Sequence, residues 1–156
     1  MERLEIFCAK IFILCCILTM IAGCGSPKVK VNVAADQSLN QDNQQRSLPV
    51  VLRVYQLSAK TKFEQADFKQ IWKQDTAFLG AELLAKEEYL VHPGKKSTLK
   101  YPKVDGAKYI GVVALFRNIE QHHWQIVKPV GQSLLTQHFS STLKMRMKDN
   151  TIRSTL

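Results

Sequence analysis

From Lys28 onward the chain is written largely in a period of two. Val29, Val31 and Val33 alternate with Lys28, Lys30 and Asn32, the pattern of a strand with one face buried and the other in water. Val50 to Leu57 (VVLRVYQL) places Val50, Leu52 and Val54 on one face and Val51, Arg53, Tyr55 and Leu57 on the other, which predicts an inner strand. Further strands are expected at Tyr89 to Val91, Thr98 to Tyr101, Tyr109 to Phe116, Trp124 to Val127, and near residues 136 and 145. Tyr109 to Phe116 (YIGVVALF) is apolar on both faces, as befits a central strand covered by a second sheet on one side and by helices on the other. Leu143, Met145 and Met147 alternate with Lys144, Arg146 and Lys148, which suits an edge strand protected by charge. Turns at His92-Pro93-Gly94 and Asp105-Gly106 predict hairpins and hence antiparallel pairing. The fold class that follows is all-β, a two-sheet β-sandwich.

Two segments break this period. Between Lys62 and Ala85, Phe68, Ile71, Trp72, Leu79 and Leu83 recur at helical spacing, which predicts a short helical insert of two helices, the second beginning at Thr76 under an Asp75 cap. At that spacing Phe63, Phe68 and Trp72 are expected to anchor the insert in the core. Between the first two strands, Asp36 to Pro49 (DQSLNQDNQQRSLP) runs for fourteen residues with Leu39 and Leu48 as its aliphatic side chains. Loops of such length without periodicity are usually functional or disordered, and a binding loop is the preferred reading.

The four cysteines, Cys8, Cys15, Cys16 and Cys24, all fall within the first 24 residues. A disulfide framework and a thiolate zinc site are therefore excluded for the rest of the chain. Met1 to Lys10 carries Arg3 and Lys10, and Ile11 to Ala22 follows with twelve uncharged residues. That is the order of a secretory leader, and it falls short of the roughly 20 apolar residues that a spanning helix needs. Ile21-Ala22-Gly23-Cys24 resembles the bacterial lipobox. The resemblance implies a signal peptide over residues 1–23, covalent diacylglycerol and an N-acyl lipid on Cys24, a lipidated tether over 24–28, and a sandwich domain over 29–156 with its insert near 62–85. Gly25 stands where an inner-membrane retention signal has Asp, which implies an outer-membrane protein, lipid-anchored and facing the periplasm.

Lys and Arg number 22 against 13 Asp and Glu, a formal charge of +9. Removing residues 1–23 takes away Arg3, Lys10, Glu2 and Glu5 and leaves that excess unchanged. The lysines are dispersed along the sequence rather than gathered in a run, which argues against nucleic acid and for an acidic protein or anionic headgroups. Catalytic constellations are missing: there is no Gly-x-Ser-x-Gly elbow, phosphate loop or dinucleotide fingerprint. His122 and His123 are adjacent and point to opposite faces of a strand, while His92 and His138 stand apart, so no metal set is expected.

The order of these pieces carries a family resemblance. Cys24, Asn32-Val33-Ala34-Ala35 with Leu39-Asn40, Pro49 to Leu57, Phe63, Ala66-Asp67-Phe68, Leu79-Gly80, Pro93-Gly94 and Tyr109 to Ala114 through Trp124 together resemble the TssJ family, also called VasD or SciN, the outer-membrane lipoprotein of the bacterial type VI secretion system. The resemblance implies a transthyretin-like sandwich that is not an enzyme and needs no cofactor beyond its lipid. It also implies a loop between strands one and two that grips the periplasmic C-terminal region of TssM, with TssL in the same complex. Within that loop Leu39 is expected to serve as an apolar anchor for the partner, amid Asn40, Gln44 and Arg46 as hydrogen-bonding groups. Shortening Gln37 to Ser47 is then expected to abolish binding at little thermal cost. The alternative is a periplasmic lipoprotein that binds a small ligand or carbohydrate in a cleft near Trp124, Tyr101 or Tyr109.

Overall fold

A computed structural model describes residues 27–119, 123–131 and 141–155. Its strands are β1 (Lys28–Ala35), β2 (Val50–Leu57), β3 (Leu83–Val91), β4 (Lys96–Pro102), β5 (Tyr109–Leu115), β6 (Gln125–Pro129), β7 (Ser141–Lys148) and β8 (Thr151–Ser154). Between β2 and β3 lie helices α1 (Thr61–Gln65) and α2 (Phe68–Leu79) and a 3₁₀ turn at Gly80–Glu82. Two four-stranded sheets result, ordered β4-β1-β7-β8 and β3-β2-β5-β6. The period-two pattern explains why they face each other: Val29, Val31 and Val33 of β1 and Leu143, Met145 and Met147 of β7 are buried, as are Leu52 and Val54 of β2 and Val112 of β5. The leader, Cys24, His122, His138 and the strand expected near residue 136 lie outside the described residues.

The expected hairpins are not the ones that form. His92-Pro93-Gly94 does reverse the chain, with Gly94 at φ +71°, yet β3 pairs with β2 while β4 pairs with β1. The turn therefore carries the chain from one sheet to the other, and Asp105-Gly106 carries it back, since β5 also pairs with β2. Turn residues specify where the chain reverses; which neighbour it finds is decided by burial of both sheets. One buried amide secures the second crossover: Gln56 Nε2 donates to Pro102 O at 2.8 Å, and Val104 N donates to Gln56 Oε1 at 2.8 Å. Nor is β7 an edge strand. It lies between β1, to which it runs parallel, and β8, which it pairs antiparallel, so its alternating charge is the solvent face of an interior strand.

The helical insert packs on the outer face of the second sheet. Phe63 is fully buried and meets Tyr55 edge-on at 5.6 Å between ring centroids. A Cβ at Gly111 would stand 2.7 Å from the Phe63 ring, so β5 needs a glycine here for α1 to close on the sheet. Asp67, not Asp75, is the helix cap, exchanging bonds with Gln70 in a capping box. The backbone does break at Gln74 (φ −141°), and Asp75 Oδ1 accepts Thr76 N at 2.7 Å. The larger role of Asp75 is to tie α2 to the sheet, since Oδ2 accepts Tyr55 Oη at 2.9 Å, Lys86 Nζ at 3.1 Å and Arg53 Nη1 at 3.2 Å. Arg53 Nη1 also donates to the Ile71 and Trp72 carbonyls. Two expectations fail in this region. Trp72 is 51% exposed rather than a core anchor, and Leu83 opens β3 because helical spacing continues past the true helix end.

Candidate functional site

The loop between β1 and β2 is the longest connection among the described residues without helix or strand, and its polar composition does not make it loose. Its first residue, Asp36, is held from three sides. Asp36 N donates to Met147 O at 2.8 Å, Gly94 N donates to Asp36 O at 3.1 Å, and Arg146 clamps the carboxylate through two bonds of 2.9 Å. Hydrogen bonding from Arg146 holds the Asp36 carboxyl below the ordinary aspartate range. Gln37 lies against Gly94, where a Cβ would meet its amide at 2.4 Å. The β3–β4 turn and the loop thus share one packed base.

Above that base the loop is pinned through its interior. Leu39 is fully buried in the core. Asn40, at φ +51°, a region that Asn tolerates better than most residues, is 5% exposed and uses its whole amide. Its Nδ2 donates to Pro49 O at 3.0 Å and its Oδ1 accepts Arg117 N at 2.9 Å. The expected roles of Leu39 and Asn40 as partner contacts are therefore corrected: their side chains face inward and hold the loop's shape. The expectation that Gln37 to Ser47 could be shortened at little thermal cost falls with them. Leu39→Ala should lower stability by about 3 kcal/mol, within the range for emptying a leucine site, as read from the urea midpoint.

Gln44 and Arg46 do stand at the surface, at a tip organised by Asp42. Asp42 Oδ1 accepts Gln44 N and Arg46 N, each at 2.9 Å, and Oδ2 accepts Arg46 Nε at 2.8 Å. The Arg46 backbone N–H, then its guanidinium, lowers the Asp42 carboxyl below its usual range. Ser47 Oγ donates to Gln37 O and closes the neck. An Asp followed by polar residues two and four positions on is a turn signal with its own mechanism, and it was the readable clue to this tip. Of the aromatic residues in the alternative reading, Trp124 borders an open groove of about 510 Å³, shared with Glu64, Phe68 and Ile119, but presents only a thin edge to it. Tyr101 and Trp124 are 6% and 4% exposed, Tyr101 stacking with Tyr89 at 6.2 Å and Trp124 meeting Phe68 edge-on at 5.3 Å. A second open groove of about 560 Å³ adjoins the first, sharing Phe68 and Ile119 and lined also by Trp72, Phe116 and Arg117 among others. Among the described residues no group of His, Cys, Asp and Glu is placed to hold a metal ion.

The fold has known counterparts. Residues 27–150 match the model of the type VI secretion lipoprotein family that includes VasD, EvfM and TssJ. The chain belongs to this family. Solved structures share the fold of this family member. The T6SS lipoprotein TssJ1 from Pseudomonas aeruginosa superposes with a TM-score of 0.74 at 23% identity, over 84% of this chain and 96% of that one. Serratia marcescens Lip, a membrane-bound component of the type VI secretion system, gives 0.77 at 22%, over 83% and 97%. A chain of a type VI membrane complex gives 0.72 at 23%, over 85% and 100%. Comparison with curated proteins finds no significant match. At these identities the solved structures speak for the fold, and the family match covers every element of it except β8.

Proposed function

We propose that this type VI secretion lipoprotein is the outer-membrane anchor of its membrane complex and holds the periplasmic C-terminal region of TssM, with TssL in the same assembly. Residues 1–23 are the signal peptide, acyl chains on Cys24 enter the periplasmic face of the outer membrane, and 24–27 tether the sandwich domain, whose first strand already takes in Lys28. The role is mechanical rather than catalytic. The observation that carries the partner-binding part is the build of the β1–β2 loop: its base is fixed by Leu39, Asn40 and Asp36, while Gln44 and Arg46 remain presented to solvent. A pre-shaped loop avoids much of the ordering cost that a floppy one meets on binding.

Replacing Gln44 and Arg46 by Ala should weaken binding of the TssM periplasmic region at least about tenfold, the loss expected when interface contacts worth about 1.4 kcal/mol are removed. Unchanged affinity by calorimetry, with the fold intact by circular dichroism, would move the interface off this loop. The ligand-binding alternative retains two structural footholds, the groove bordered by Trp124 and, adjoining it, the groove beside Trp72. The latter groove shares Arg117 with the base of the loop, since Arg117 N is the donor to Asn40, and it fits better as an extension of the protein-facing end.

A further inference from the structure

The basic residues that look dispersed in the sequence are gathered by the fold onto one surface. The four strands of the β4-β1-β7-β8 sheet contain eight Lys and Arg and no Asp or Glu. Their inward positions are the apolar ones, so all eight cations lie on the outward face. Register places them side by side: Lys30 lies opposite Lys100, Ala34 lies between Lys96 and Arg146, and Arg146 lies opposite Arg153. The nearest carboxylates in sequence, Asp36 and Asp149, stand at strand ends, and Asp36 is engaged by Arg146. By contrast, the strands of the other sheet carry three cations and two acids, and that sheet is covered by the insert.

The face is also shaped. Asn32, small and central in β1, has Thr98 on one side and Lys144 on the other. These residues and Lys96 border a shallow basin of about 330 Å³. Hydroxyl, amide and two ammonium groups around one depression are donors suited to a phosphate oxygen.

We propose that this sheet face lies against the anionic phospholipid headgroups of the bilayer that holds the chain, with a headgroup phosphate seated at Asn32. The occupant follows from charge and from chain length. Resting on the acyl anchor proposed at Cys24, only four residues separate the lipid from Lys28, a reach of about 14 Å when fully extended. The first strand of the cationic sheet is therefore kept within one or two Debye lengths of the headgroups, where a basic surface is attracted to anionic lipid. An acyl anchor sets the distance, and the charged face then sets the orientation of the sandwich on the membrane.

The test uses the chain carrying Cys24→Ala, which cannot be acylated, with residues 1–23 exchanged for an ordinary cleavable leader, so that neither acyl group nor apolar leader is present and binding reports the protein surface. Vesicles of phosphatidylglycerol with phosphatidylcholine should retain more of it than vesicles of phosphatidylcholine alone, and high salt should remove the difference. Lys96→Gln, Lys100→Gln and Lys144→Gln together should weaken the anionic-specific component by about fivefold per charge, from about 1 kcal/mol for each basic residue near such a surface. Circular dichroism should show these exposed substitutions folding normally. Equal retention by both vesicle types, or a triple variant that binds like its parent, overturns the proposal, as does a face that captures an acidic protein but no lipid. Mass spectrometry of the unmutated chain reports the acyl group separately, so failure of the anchor and failure of the face are told apart.

Discussion

Envelope fractionation of the Cys24→Ala chain is expected to find it among soluble periplasmic proteins once salt has screened the basic face, with secretion abolished. Each acyl methylene buried in a bilayer contributes about 0.8 kcal/mol, so one myristoyl chain binds marginally whereas several hold almost irreversibly. Removing the sulfur removes all of them, because transfer of diacylglycerol precedes cleavage and N-acylation in the lipobox pathway. The comparison is clearest when residues 1–23 are exchanged for an ordinary cleavable leader, since the apolar Ile11 to Ala22 stretch would otherwise remain attached. The sandwich itself should fold as before, because Cys24 precedes the first strand. Normal secretion by the unacylated protein would refute the anchoring role.

Asp75→Ala should destabilise the fold by about 3 kcal/mol, as read from urea unfolding. Asp75 is 7% exposed, and its loss leaves Tyr55 Oη without its acceptor and strips a carboxylate from between Arg53 and Lys86. Removing one partner of a buried pair costs about 3–5 kcal/mol. The lower end applies because Arg53 keeps Glu88 at 2.7 Å and two helix carbonyls. The same carboxylate sets a pH response. Burial alone would raise its pKa, but hydrogen bonds from Tyr55, Lys86 and Thr76 and the charge of Arg53 outweigh burial and hold it below the ordinary value of 3.8. Its contribution is therefore complete above that value and is lost as pH falls through the depressed one. Asp75→Ala should flatten the acid limb of stability against pH; an unchanged slope would place the acid response elsewhere.

Strand alternation made most of the sandwich legible from the residues: β2 has the boundaries that its apolar run predicts, β5 ends one residue before its predicted end, and β1 buries the three valines that its alternation marks. The sheet partners were not legible, because a turn such as Pro93-Gly94 encodes a reversal and says nothing about which layer receives the next strand. Helical periodicity overran its boundary at Leu83 since a strand entering the same core needs the same kind of side chain. The loop was legible as a loop, but the inward turn of Leu39 and Asn40 depends on Pro49 and on Arg117, seventy-seven positions away from Asn40, and no local pattern records such a partner. The basic face was hidden for the same reason, being assembled from four strands that lie far apart in the chain, β1 near its start, β4 in its middle and β7 and β8 near its end.

The placement of β1 bears on how the molecule would survive tension. Its first residue follows the proposed tether and its last precedes the loop proposed to hold the partner, so tension between the two would enter the sandwich through this strand. That strand is bonded on both sides, antiparallel to β4 and parallel to β7. Extraction in this geometry is shear: every rung must give way together, whereas a peripheral strand peeled from one end would unzip a rung at a time.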